Sequence, residues 1–490
     1  MSAEEPKEST IKNLFSSLLK LKKDHPWISL WTIRFLQYFV LFCFVIIPGI
    51  MIFRQFNLVP TGLENARYFL SAMVQTQAAI VSLVITLTLI AIQMAAASYT
   101  PRVIDVIKKN PDMWLLLIIY LVSISYGFIV LKLVAPDPDP VLVSSVLILG
   151  MYTFSILFLY MWNTIALLRP DKIVTMLVGE INTKNIHQEK WKDDIMQPVF
   201  DVVHASISRF DVTTTRTGLN TLSNRILELF TAFDDKSNRD IANHFCDHIQ
   251  RSALVALRND DEGVLLEIID ILKNFDIWCV EPLQFIGVHA ADKGLAATTG
   301  KVANILEEVG IQAADKGLEG ATIGVADALW EIGIQAVDKG LVDKGLIDVS
   351  NPVVHALREV GVHAADKGLA ATSGVVYALR EIGIQAADKG LKNSPWRVAW
   401  ALRKVGTHAA EMELNDDVDH VVMGLCRIGC KEVGRDAAVR SLAPFLFCDR
   451  DRMTKVIDDF KSKLDPKEGV EFKHFMDKVN EELKILESSL

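Results

Sequence analysis

The chain has 490 residues, half of them hydrophobic, and its 51 basic and 60 acidic residues give a formal net charge of −9. A nucleic-acid-binding surface carries excess positive charge, so this balance argues against a nucleic-acid partner. The 6 cysteines form no CxxC pair and no regular framework, which is typical of reduced thiols. Because the first apolar run follows about thirty polar or amphipathic residues, no secretory signal is predicted.

The N-terminal segment Thr10–Lys23 is basic and amphipathic, with Ile11, Leu14 and Leu18 on one helical face. Such a segment can lie on the inner membrane surface, because its apolar face enters the lipid and its lysines meet anionic headgroups. An ordinary surface helix or a disordered tail is the alternative for this arm.

Four apolar stretches follow, each long enough to cross a hydrocarbon core of ~30 Å as a helix. They are Phe35–Phe53, Ala72–Ala97, Trp114–Leu131 and Val141–Leu168. The loop after the second stretch is basic, whereas the loop after the third has two aspartates and no base. Basic loops stay in the cytoplasm, so both termini are predicted to be cytoplasmic in a multi-pass plasma-membrane protein. The residues expected to anchor the inner interface are Pro101, Arg102, Lys108 and Lys109.

The second stretch carries a line of uncharged polar residues. At about 100° per residue, one narrow helical face holds Gln75, Ser82, Thr86 and Gln93. Lipid offers no hydrogen bonds, so this face should meet protein or water. It either packs against neighbouring helices through small residues and hydrogen bonds or lines a pore.

The run Ile80–Ile104 resembles a prokaryotic predicted-membrane-protein family called domain of unknown function 2254. Members share a hydroxyl-bearing second helix, a Gln-rich small-residue end and a Ser-Pro-Arg or Thr-Pro-Arg exit. The residues that carry this pattern here are Ser82, Thr86, Gln93, Ser98, Thr100, Pro101 and Arg102. The resemblance covers about the first 170 residues and implies a membrane fold and compartment but no reaction.

After soluble helices in residues 171 to about 278, an internal repeat begins. Its units start at Gly287, Gly310, Gly333, Gly361, Gly383, Gly406 and Gly429, at spacings of 23, 23, 28, 22, 23 and 23 residues. One unit, Ser350–Leu369, reads as a helix of about 16 residues, with an N-cap and proline at its start and Gly368 left-handed at its end. Successive helices must run antiparallel, so pairs form hairpins of ~46 residues, the size of a HEAT or armadillo unit.

The glycine inside each unit costs helix propensity, so its recurrence predicts a close approach of neighbouring helices. Alternatively, it breaks each unit into two short helices. The residue two positions after each repeat glycine from Gly287 to Gly406 is a histidine or a glutamine. This pattern favours a ladder of hydrogen bonds along the solenoid, and a pH-responsive ladder is the alternative. The ladder residues are His289, Gln312, Gln335, His363, Gln385 and His408. The Asp-Lys pairs that follow are expected at solvated helix ends, or as a charged docking surface.

Few motifs indicate chemistry. The stretch from Gly294 to Lys301 resembles a phosphate-binding loop, but it lacks the required spacing and lies in a repeat turn. We therefore do not expect it to bind phosphate. His244 and His248 are one helical turn apart, a spacing that can hold a metal ion. No further ligand lies near them in the sequence, so we expect them to be surface or boundary histidines. No catalytic triad, paired carboxylates, polar cluster at the inner interface or dinucleotide fingerprint is present. We therefore expect neither an enzyme nor a bound metal or cofactor.

The sequence thus predicts an all-α protein: a four-helix transmembrane domain, then a cytosolic helical domain with an α-solenoid of ~23-residue single-helix repeats. The expected domains are a basic arm (1–28), the membrane domain (29–170), a helical linker (171–284), the solenoid (285–440) and a helical cap (441–490).

Two functions fit this plan. The first is a homo-oligomeric channel or pore for a small ion, in which the polar line of each copy faces a central path and the solenoid serves assembly or sensing. The second is a scaffold that the lipid bilayer only anchors, while the solenoid binds a cytosolic protein.

Overall fold

The computed structural model describes residues 26–56, 63–98, 111–133, 140–167, 169–182, 186, 194–231, 235–339, 350–391 and 394–489. Every regular element in these ranges is a helix, which confirms the all-α prediction. Contacts divide the chain into two compact units, Met1–Glu180 and Ile181–Leu490. Each unit is described separately below.

The first unit contains the membrane helices α1 (Pro26–Phe56), α2 (Leu63–Ser98), α3 (Pro111–Leu133) and α4 (Pro140–Leu167), followed by the short α5 (Pro170–Glu180). Each of the first four is long and apolar enough to cross a membrane, which confirms the four predicted spans. The 36-residue α2 is about 54 Å long at 1.5 Å per residue, so it exceeds the hydrocarbon thickness of ~30 Å.

Helix α4 packs against α1, α2 and α3, and α3 also contacts α1 and α2. The interior of this bundle is rich in tyrosine, and the ring bodies pack with Ile156 while the hydroxyls of Tyr38, Tyr152 and Tyr160 have polar partners. The Tyr152 hydroxyl donates to the Tyr38 carbonyl oxygen at 3.1 Å. The Tyr160 hydroxyl lies 2.7 Å from the Thr88 hydroxyl. These bonds satisfy polar groups that lipid cannot satisfy, so they fix how the helices pack.

The second unit begins with α6 (Gln197–Ser208), α7 (Val212–Phe230), α8 (Asp235–Arg258) and α9 (Glu262–Leu272), followed by a 3-10 segment, Lys273–Cys279. Aspartate side chains cap α7 and α9, because Asp211 accepts from the Thr214 amide and Asp261 from the Val264 amide.

The repeats form α10 (Val280–Lys293), α11 (Ala296–Asp315), α12 (Glu319–Asp338), α13 (Ser350–Asp366), α14 (Ala371–Asp388), α15 (Ser394–Glu411) and α16 (Asn415–Gly429). From α10 to α16, each helix packs against the next helix and against the next but one. This pattern places alternate helices in the same layer, so the repeats build a two-layer α-solenoid. The chain ends with α17 (Arg435–Cys448), α18 (Arg450–Ser462) and α19 (Pro466–Ser489).

The repeat glycines from Gly287 to Gly406 lie inside continuous helices, and Gly429 is the last residue of α16, so the alternative that they break each unit is wrong. They are sites of close helix approach instead. A Cβ built on Gly310 would lie 2.6 Å from Val360 Cγ2 and 2.9 Å from Val325 Cγ1. Val360 belongs to the next helix but one, α13, and Val325 belongs to the next helix, α12. Both β-branched side chains therefore pack where the glycine has no side chain.

The predicted helix ends of the repeats are also confirmed. Gly368 has a φ of +64°, and its amide donates to the Ala365 carbonyl oxygen at 2.9 Å. The Leu369 amide donates to the Ala364 carbonyl oxygen at 2.9 Å. These two bonds form a Schellman motif, which requires a left-handed residue that glycine adopts without strain.

The expected domain limits stay predictions, and the structure adds the following bounds. The first repeat helix starts at Val280, and the unit boundary follows Glu180, so α5 belongs with the membrane helices. The limit expected at residue 441 falls inside α17, and the basic arm (1–28) lies almost wholly outside the described residues.

Candidate functional site

Helix α2 has two opposite faces. Its buried face includes Leu70, Gln77 and Val84, all less than 9% exposed, and it packs against the other membrane helices. Gln77 lies about 200° around the helix from Gln75 at ~100° per residue. The four residues of the predicted polar line, Gln75, Ser82, Thr86 and Gln93, are all exposed on the opposite face. The polar line therefore points away from the bundle of its own chain.

Part of this polar face is satisfied by its own helix. The Thr86 hydroxyl donates to the Ser82 carbonyl oxygen at 2.9 Å, and the Gln75 amide donates to the Ser71 hydroxyl at 3.2 Å. Such back-bonds lower the cost of placing hydroxyls in lipid, but amide side chains keep further donors and acceptors. On the buried face, Gln77 instead accepts from the Ser123 hydroxyl at 3.0 Å, so it holds α2 against α3.

A charged contact links the beginnings of α1 and α3. Asp112 is fully buried, and its carboxylate lies 3.4 Å from Arg34 Nε and accepts from the Tyr38 hydroxyl at 3.3 Å. The third apolar stretch begins at Trp114, so the sequence predicts that Asp112 lies before the helix. Helix α3 in fact begins at Pro111, and a polar cluster that the sequence did not show forms at this end of the bundle. A buried carboxylate requires such partners.

The four residues predicted to anchor the inner interface, Pro101, Arg102, Lys108 and Lys109, lie outside the described residues.

The repeat positions form contacts within each solenoid layer. Gln335 and Lys339 of α12 donate to Asp292 of α10, at 3.0 Å and 2.6 Å. In the same way, Gln385 and Lys389 donate to Asp338 at 2.5 Å and 2.9 Å. The bond from Lys339 holds the pKa of Asp292 below its usual range. The Asp-Lys pairs are thus exposed helix ends that also join each helix to the next but one.

The histidine positions of the repeat behave differently from one another. His408 Nδ1 lies 2.8 Å from an Asp366 carboxylate oxygen, which continues the ladder in the second layer. His289 and His363 instead contact the carbonyl oxygens of Phe285 and Glu359 in their own helices, each at 2.9 Å. Gln312 is exposed. The ladder therefore depends on the aspartates more than on the histidines.

One cluster in the second unit joins residues distant in sequence. His248 Nε2 lies 2.7 Å from Asp194 Oδ2, and His244 Nε2 lies 3.1 Å from Asp194 Oδ1. The sequence shows the two histidines only as a helical pair without a further ligand. Asp194 is 50 residues before His244, and no sequence pattern links it to the pair. An aspartate just before an amphipathic helix is the one signal available, and it indicates an N-cap rather than a ligand.

The solenoid layer that contains α11, α13 and α15 carries a groove of about 710 Å³. It is lined by α11, α13 and α15, and its apolar wall consists of Trp396 and Trp400, which are 55% and 39% exposed. The Arg358 guanidinium lies over the Trp400 ring at 4.5 Å, and His355 and Glu307 form a polar side. Exposed tryptophans beside a stacked arginine are typical of binding surfaces.

The comparisons with known proteins agree with the membrane part of this picture. Residues 27–218 match the family described as "Predicted membrane protein (DUF2254)". The match extends beyond the 170 residues that the sequence resemblance covered, through α5 and α6 into α7. No curated protein matches the chain.

Among solved structures, one similar chain is described as "Circular tandem repeat protein with novel repeat topology and enhanced subunit contact surfaces". It is 13% identical, and the alignment covers 87% of this chain and 98% of that one, with a TM-score of 0.28. That score is too low to show a common fold. The four apolar helices and the family match together show an integral membrane protein, whose residues 27–218 carry the domain of unknown function 2254 pattern.

Proposed function

We propose that the protein assembles as a homo-oligomer in the membrane and that its α2 helices surround a path for small ions. The supporting observation is the direction of the polar line, which faces away from α1, α3 and α4. In lipid, the glutamine donors and acceptors that the bonds within α2 do not satisfy would find no partners. Further copies of the same surface can cover them, with water between the copies.

The length of the polar line fits this arrangement. Gln75 and Gln93 are 18 residues apart, which is about 27 Å at 1.5 Å per residue and nearly the hydrocarbon thickness of ~30 Å. A ring of α2 helices would thus present amide and hydroxyl oxygens through the whole membrane core. Such oxygens can replace part of the hydration shell of an ion.

The test measures both the number of chains in the assembly and its ion conductance. We expect native mass spectrometry of nanodisc-embedded protein to show a ring of four or more chains, and planar bilayers to show discrete conductance. Thr86→Leu should change that conductance. Thr76→Leu is the matched control, because Thr76 is also exposed and also bonds a carbonyl four residues back, at 2.7 Å, but lies about 80° from the polar line. A monomer, or bilayers silent across pH, tension and voltage, would refute the proposal.

We place both termini and the solenoid in the cytoplasm of a cell with this protein in its plasma membrane. An even number of spans puts the segments before α1 and after α4 on one side, and the basic loop after α2 favours the cytoplasm for that side. Alkaline phosphatase fused after residue 490 should be inactive. The same enzyme placed between α3 and α4 should be active, and the reverse pattern would contradict this topology.

The groove beside Trp396 and Trp400 favours a second function, a membrane-anchored scaffold that binds a protein segment. A partner captured by residues 171–490 alone, and lost on Trp396→Ala with Trp400→Ala, would support it. Tyr377→Ala is a suitable control, since Tyr377 is also exposed, on α14, outside the groove. Capture that requires the membrane helices would argue for the oligomeric pore instead.

A further inference from the structure

The cluster of Asp194, His244 and His248 has the composition of a metal site. Asp194 lies three residues before the first residue of α6, and the two histidines lie one turn apart on α8. Two imidazole nitrogens and one carboxylate oxygen from these residues all lie within 4.8 Å of one another. Two histidines with one carboxylate is a ligand set of zinc enzymes and of non-haem iron sites.

The distances are close to those that a metal ion imposes. With bonds of about 2.0–2.1 Å, a tetrahedral ion holds its ligand atoms about 3.3 Å apart. The two nitrogen-to-oxygen distances to Asp194 are 2.7 Å and 3.1 Å. These distances run to the two different oxygens of Asp194, and one oxygen and both nitrogens lie within 4.8 Å of one another. A bound ion would therefore require these three atoms to shift toward one common separation.

Neighbouring groups hold these ligands in place. The His248 ring stacks on Phe200, with centroids 4.6 Å apart and planes 10° apart, and its side chain is only 2% exposed. One oxygen of Asp194 also accepts the backbone amides of Met196 and Gln197, at 2.9 Å and 3.3 Å, and so caps α6. Positioned ligands of this kind bind a metal without a large loss of side-chain entropy.

Charge and access also suit a cation. Asp194 brings a carboxylate to the cluster, and carboxylate oxygens bind divalent first-row ions together with imidazole nitrogens. Asp194 and His244 are partly exposed, at 18% and 22%, so an ion and water can reach the cluster from one side.

We propose that Asp194, His244 and His248 bind one divalent first-row transition-metal ion, for which Zn²⁺ is the best-matched probe. Three protein ligands leave at least one coordination position for water or an added ligand. The ion would join the N-terminus of α6 to α8, so it would also stabilise the part of the second unit that precedes the repeats.

The test uses the full chain in detergent, stripped with a chelator and titrated with Zn²⁺ in a calorimeter. We expect one ion per chain. His244→Gln and His248→Gln should each weaken binding by at least about 100-fold, because glutamine binds transition metals poorly but can still donate a hydrogen bond to Asp194. His420→Gln is the matched control, because His420 is an exposed histidine on α16 that contacts only its own helix carbonyl in the described chain, at 2.8 Å.

A second variant and a second readout separate metal binding from misfolding. Asp194→Asn keeps an oxygen that can cap α6 but loses the anionic ligand, and it should also weaken Zn²⁺ binding while far-ultraviolet circular dichroism stays unchanged. Bound Co²⁺ should give visible bands without thiolate charge transfer, since no cysteine is a ligand. If wild type binds Zn²⁺ no more tightly than His244→Gln, or if His420→Gln loses as much, the cluster is only a hydrogen-bonded cap and the proposal fails.

Discussion

Replacing Gly310 by alanine should destabilise the solenoid although alanine is the better helix former. Helix propensity alone would favour Gly310→Ala by about 1 kcal/mol. The added Cβ would meet Val360 Cγ2 at 2.6 Å and Val325 Cγ1 at 2.9 Å, about 1 Å inside the normal methyl separation of ~3.5–4.0 Å. Both valines are buried and β-branched, so they cannot rotate away freely.

The expected magnitude follows from these opposing terms. Overpacking a well-packed core costs about 1–3 kcal/mol, and two contacts place this site in the upper part of that range. After the gain in helix propensity is subtracted, we expect the free energy of unfolding to fall by about 1–2 kcal/mol. The second unit has about 310 residues and an unfolding entropy of about 2.1 cal/mol/K per residue, so this loss lowers the melting temperature by roughly 1.5–3 °C.

The control is a second glycine in the same helix. A Cβ on Gly300 would lie 3.5 Å from Pro352 Cγ, an ordinary contact, so Gly300→Ala should raise the melting temperature slightly. Differential scanning fluorimetry of the full chain in detergent measures both changes. In the double variant Gly310→Ala with Val360→Ala, the loss should be smaller than the sum of the single losses. A Gly310→Ala variant as stable as wild type would contradict the close packing of Val325 and Val360 against Gly310.

Two further predictions concern the membrane bundle and the thiols. Tyr38→Phe removes a hydroxyl donor to buried Asp112 and should cost about 1 kcal/mol, visible as a lower melting temperature, whereas Tyr68→Phe at an exposed position should not change it. Burial raises the pKa of the Cys426 thiol, so at pH 8 iodoacetamide should alkylate exposed Cys448 at least about tenfold faster, as measured by peptide mass spectrometry. Equal labelling rates would show that the α16 core opens readily.

Much of the architecture follows from the sequence because it depends on local patterns. Uncharged runs of sufficient length determine the four spans, since lipid excludes charge whatever the neighbours are. The repeat register, and Gly368 at its left-handed position, could likewise be read from one unit, because helix caps depend on a few adjacent residues. The close approach at the repeat glycines was predicted from their recurrence, although not which side chains would fill the space.

Tertiary structure decided which surfaces and side chains meet. Periodicity places Gln75 and Gln77 on opposite faces of α2, but only the packing of α3 and α4 shows that Gln77 is the buried one. It also brings Arg34 to Asp112, and Asp194 to a histidine pair far along the chain. Sequence patterns report the period of a single helix, whereas a site is built from helices whose separation along the chain carries no information about their distance in space.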